Sequence, residues 1–113
     1  MRREADARLW AVLEAIETIE RYVAGRSVGE YVADELLRDG VERRLINIGE
    51  ALNGFSREDP VRAARVSNLP AIVSLRNVLV HGYDRVRNED VWRVVREDLP
   101  KLRATVTALL GRM

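Results

Sequence analysis

Two stripes of apolar residues decide what this chain folds into. Leu9, Val12, Leu13, Ile16, Ile19 and Val23 recur at steps of three and four near the start, and Leu37, Val41, Leu45, Ile48, Leu52 and Phe55 do so over a longer stretch. At the helical period each set lines one face, and two such faces bury each other best side by side. The predicted fold is therefore all-α, an antiparallel helical bundle of about five to six helices built around these two long ones.

The residues between the stripes punctuate the rest. Gly25 is a stop for the first helix, and Ser27 followed by Glu30 is a capping-box pattern that starts a short second one. The long helix is expected from about Asp34 to Phe55; Gly40 and Gly49 inside it cost up to roughly 1 kcal/mol each relative to alanine, and Gly49 offers a place for close helix approach. Pro60 and Pro70 bracket another short helix, with Pro70 in the first turn of a helix to about Val80 that buries Ile72, Leu75 and Leu79. Asn88 is expected to cap a helix holding Val91, Trp92 and Val95, and Pro100 to open a last one with Leu102, Val106, Leu109 and Leu110. No strand pattern survives, because runs such as Val78 to Val80 sit inside longer helical periods. Trp10 and Trp92 read as core or interface aromatics.

Composition narrows the function classes. A chain of 113 residues fits one domain, expected over 1–113, and can bury a core without staples. With no cysteine and one histidine, neither a thiolate cluster nor a zinc site is expected, and no glycine-rich phosphate loop is present; no metal or cofactor is predicted. The charged start, Met1 to Arg8, is not a signal peptide, and no apolar run reaches the roughly 18–20 residues that span a bilayer, so the expectation is a cytoplasmic protein with no membrane partner. The net charge of +1 hides an imbalance, since residues 57–87 hold six arginines against three acids while residues 1–56 hold eight basic residues against eleven acids. This is the charge of a face for an anionic partner, and equally of a solvated helix surface. Within that stretch Arg65, Arg85 and Arg87 are the candidates for phosphate contacts.

Chemistry concentrates around the lone histidine, in Leu75-Arg76-Asn77-Val78-Leu79-Val80-His81-Gly82-Tyr83. Imidazole moves protons near neutral pH, and the Arg76 fork suits a phosphate or the charge building on a phosphoryl oxygen. Polar Asn77 interrupts an apolar helix, and Gly82 predicts that the helix ends beside His81. On a regular helix His81 points roughly 140° away from Arg76. Either the last turn unwinds near Gly82, or the groups meet across a subunit boundary, where a two-fold dimer supplies two imidazoles and two guanidiniums. The pair alone is weak evidence, because a chain this rich in arginine places one five residues before its histidine about one time in six by accident.

The wider pattern is more specific. Arg76 to Tyr83 matches the R-x4-H-x-Y signature of HepT-like proteins in the HEPN superfamily. Ala15-Ile16-Glu17 with Tyr22, the run Arg44 to Ala51, Asp90-Val91-Trp92 and Asp98-Leu99-Pro100 resemble further segments of that family, so that the likeness spans nearly the whole chain. One departure is Ala71 after Pro70, where the family often has tryptophan. The resemblance implies a HEPN-type bundle and a toxin that cuts RNA without a metal, with Arg76 and His81 catalytic and Asn77 supporting. It also implies a homodimer with the cleft between protomers, and a cognate MNT-type nucleotidyltransferase antitoxin that adds AMP to the motif tyrosine, here Tyr83. The alternative is a non-catalytic nucleotide-binding or adaptor partner of such a nucleotidyltransferase.

Overall fold

A computed structural model describes residues 2–82 and 86–111. The elements are α1 (Arg2–Val23), α2 (Val28–Ala33), α3 (Glu35–Glu58), α4 (Pro60–Ala63), α5 (Leu69–His81), α6 (Asn88–Arg93), a π-helical turn (Val94–Asp98) and α7 (Leu99–Leu109). The described residues contain no strand, and the fold is the all-α bundle that the apolar stripes predict.

The two stripes face each other. Arg8 of α1 lies against Gly54 and Glu58 of α3, while Tyr22 at the far end of α1 lies against Gly40, so the helices run antiparallel. Leu9, Val12, Ile16 and Ile19 are buried against Val41, Leu45, Ile48, Leu52 and Phe55. Each such side chain contributes about 1.5–3 kcal/mol when fully buried, so this seam is the largest favourable element of the bundle. On the other side of α1 sits α7, anchored by buried Leu102 and Val106 and by Arg103, which bonds Glu20 and lies 3.5 Å from Glu17.

Local signals set the boundaries. Gly25 takes a left-handed conformation (φ 73°) that ends α1. Both halves of the capping box form, the Ser27 hydroxyl accepting from the Glu30 N–H and the Glu30 carboxylate accepting from the Ser27 N–H. Asp34 caps α3 by accepting from the Leu37 N–H, and these backbone bonds hold the Asp34 carboxyl below its usual range. The long helix continues past Phe55 to Glu58, where Asp59 stops it and caps α4.

Two expectations are corrected, at Asn88 and at Leu75. Asn88 is the first residue of α6 and not its cap; Arg87 holds the cap position, and no side chain bonds there. Pro100 stands in the first turn of α7, as expected, and a π turn joins that helix to α6 in one continuous run. Proline lacks an N–H and crowds the carbonyl one turn back, and the wider π turn, whose Leu99 N–H reaches Val94 O, accommodates both. Counted as one helix, this run makes six among the described residues. Leu75 packs against the core but is only half-buried, since α5 packs principally on α3.

A buried cation ties the ends together. The Arg62 side chain is 7% exposed; its Nε donates to Asp59 Oδ2 (2.5 Å), Nη2 to Asp6 Oδ1 (2.7 Å) and Nη1 to the Leu109 carbonyl (3.3 Å). The guanidinium also sits 5.4 Å over the Phe55 ring. No described helix is long and apolar enough to cross a membrane.

Candidate active site

Arg76 owes its position to a glycine on the neighbouring helix. A Cβ added at Gly49 would lie 2.3 Å from Arg76 Cβ and 2.7 Å from its Cγ, so the arginine stem rests directly on the α3 backbone. The close approach expected at Gly49 is thus made by the candidate catalytic arginine. Ser56, late in α3, shares a surface hollow with Leu69 and Pro70 at the start of α5, so the two helices run antiparallel. We expect Gly49→Ala to push them apart and destabilise the fold by about 1–3 kcal/mol, read as a lower urea midpoint with an unchanged m-value. An unchanged midpoint would mean that the seam gives freely.

The fork itself is held at two points. Arg76 Nη1 donates to Asn77 Oδ1 (3.0 Å) and Nη2 donates to Glu50 Oε1 (3.3 Å), while Nε is buried without a partner. A guanidinium has five N–H bonds. Two are engaged and one is enclosed, which leaves two terminal N–H donors for an incoming oxygen anion. Asn77, singled out only as a polar residue in an apolar helix, here orients its neighbour. Glu50 escaped sequence reasoning, because its pairing spans 26 positions and depends on the contact at Gly49. Its hints in the sequence were its place directly after that glycine and within the run Arg44 to Ala51 that resembles the family.

His81 is exposed and is the last residue of α5. The Gly82 N–H still bonds the Val78 carbonyl (2.7 Å), so the helix stays regular through the histidine and does not unwind before Gly82. On that geometry Arg76 and His81 leave α5 in directions roughly 140° apart. Tyr83 and Arg85 lie outside the described residues. Arg87 is exposed just before α6. Arg65 is exposed near the opposite end of α5, a 13-residue helix that separates it from His81 by roughly 20 Å. The described residues hold no group of three or more His, Asp or Glu side chains able to bind a metal.

Apolar residues surround this polar pair. Leu69, Val73, Leu75, Val78 and Val80 of α5 are only half-buried, and only Ile72 and Leu79 are fully enclosed. An apolar helix covered on one side is the kind of surface that another molecule completes.

Fold and site together define an all-helical protein that presents an arginine and a histidine on a partly buried helix packed principally on α3. Residues 12–109 match the family described as "Ribonuclease HepT-like", and the chain belongs to that family. Among curated proteins it is 30% identical over 110 residues to "Putative RNase MJ1380" of Methanocaldococcus jannaschii, covering 93% of this chain and 95% of that one. It is 31% identical over 107 residues to "Probable ribonuclease HepT" of Thermococcus cleftensis, covering 91% and 93%. A further match, 29% identical over 115 residues, is "Gamma-glutamylcyclotransferase and putative RNase MJ0434" of M. jannaschii; it covers all of this chain but half of that protein. No solved structure gives a significant match.

Proposed function

We propose that this chain is the toxin of a HEPN/MNT toxin–antitoxin pair, a metal-independent endoribonuclease whose site is completed across a homodimer. The observation that carries the reading is the regular course of α5 through His81. A straight helix keeps one chain's guanidinium and imidazole apart, so a working site needs a second copy, and the half-covered apolar side of the same helix is a surface on which it can pack. Membership of a ribonuclease family and the names of the relatives support the choice of RNA as substrate.

The chemistry follows from what two copies bring. One imidazole, neutral, takes the proton of the RNA 2′-hydroxyl as its oxygen attacks the adjacent phosphorus. The other, protonated, gives a proton to the departing 5′-oxygen. The P–O5′ bond breaks as the O2′–P bond forms, giving a 2′,3′-cyclic phosphate and a 5′-hydroxyl. Arg76, steadied by Asn77, offers its terminal N–H bonds to the phosphoryl oxygens, where negative charge grows. Arg87 and Arg85, with Arg65 further off, supply phosphate contacts along the strand. Neutralisation is by a cognate nucleotidyltransferase antitoxin that adds AMP to Tyr83. Two residues from His81, the bulky anionic adduct blocks the cleft and repels RNA.

The test is cleavage of single-stranded RNA by the purified protein in excess EDTA, with the product ends identified and the oligomeric state measured by sedimentation. Cyclic phosphate ends from a dimer are expected. Intact RNA, or cleavage that requires an added divalent ion, would overturn the reading.

A further inference from the structure

Among the described residues, Arg76 is the one partner that engages the Glu50 carboxylate. It is also the single acid among the described residues that is bonded to that guanidinium (Nη2 to Oε1, 3.3 Å). It also lines a groove of about 460 Å³ between α1 and α3, beside Glu4, Arg8, Asn47 and Glu58. The other guanidinium in that groove does not compete, because Arg8 Nε donates to Glu58 (3.0 Å). From the structure we infer that Glu50 is a positioning residue for Arg76, setting the rotation of its guanidinium plane so that the free N–H bonds face the scissile phosphate.

The mechanical case is as follows. Contact with Gly49 fixes the arginine as far as Cγ, and the buried Nε fixes where the stem ends. What remains free is the plane of the fork, which two acceptors, one on each terminal nitrogen, define. Asn77 comes from the next position on α5, and Glu50 reaches across from α3. With Asn77 alone, the plane could pivot about one bond. Glu50 is the second point. Its side chain is 53% exposed, so the pair adds little to folding stability. Removing it therefore perturbs orientation more than fold.

The inference rests on the ribonuclease reading for its catalytic consequence, and its test has a readout that does not. In protein carrying ¹⁵N-labelled arginine, the Arg76 side-chain signals are assigned by their loss in Arg76→Lys. Slow rotation about the Arg76 Cζ–Nη bonds is expected in wild type and in Glu50→Gln, whose amide oxygen still accepts. Fast, averaged rotation is expected in Glu50→Ala. In RNA cleavage Glu50→Ala should lower kcat about 10- to 100-fold with a smaller change in KM, the scale of a misplaced catalytic group, and Glu50→Gln should restore most of the loss. Unaltered Arg76 rotation in Glu50→Ala overturns the inference whether or not RNA is cut. Restricted rotation released in Glu50→Ala, in a protein that leaves RNA intact, upholds the positioning and rejects the ribonuclease reading.

Discussion

His81→Ala is expected to reduce RNA cleavage by about 10²- to 10⁴-fold, the usual contribution of a positioned acid–base group, and to leave the fold as it was. The second half of that expectation comes from the structure. His81 is exposed at the end of α5, and among the described residues its imidazole makes no hydrogen bond or ion pair. Its loss opens no cavity and strands no polar partner, so stability should stay within ~0.5 kcal/mol of wild type. The separation of the two effects is informative. A large fall in rate at constant melting temperature assigns the imidazole to chemistry, whereas undiminished cleavage would move the active site elsewhere. Arg76→Ala is less clean, because its stem packs on Gly49 and its removal alters the α3–α5 seam.

Arg62→Ala should produce the largest loss of stability of any single side-chain truncation considered. The change removes three hydrogen bonds and leaves Asp59 and Asp6 facing a space their cation filled. Breaking a fully buried ion pair costs about 3–5 kcal/mol; Asp6 is one-third exposed, which lowers the expectation to about 2–4 kcal/mol. For a chain of this length that is a fall in Tm of roughly 10–20 °C by calorimetry. Arg62→Lys keeps the charge but not the fork, and should recover only part of it. The same cluster responds to acid. The hydrogen bonds from Arg62 hold the Asp59 carboxyl below its usual range, so its contribution is complete at neutral pH and disappears as pH falls from about 4 through the lowered value. A Tm within 3 °C of wild type would show that Arg62 is no clamp.

Much of the bundle is legible because local rules and packing agree. The stripes of α1 and α3 predict both the helices and the seam between them, and Ser27 with Glu30 predicts a cap that forms atom for atom. The failures have physical causes. Pro100 opens α7 as read, but the π turn that joins this helix to α6 leaves no mark in the apolar period. Leu75 reads as core from its period alone, yet it packs against the core only in part, because α5 packs principally on α3. At the candidate site, Arg76, Asn77 and His81 can be picked out in the sequence because they lie within six residues on one helix. Glu50 and Arg62 are not, since what they do depends on partners 26 and 56 positions away and on helix approaches that periodicity does not encode.

The half-covered side of α5 has a consequence for dosage. In the dimer we propose, apolar cover for that helix exists only once two chains have met, so at low copy number the protein would circulate unpaired and harmless. Each site would draw on both chains, and activity would climb with the square of abundance until pairing saturates. A cell would then experience a threshold, below which leaky synthesis goes unpunished and above which a modest rise in supply becomes lethal.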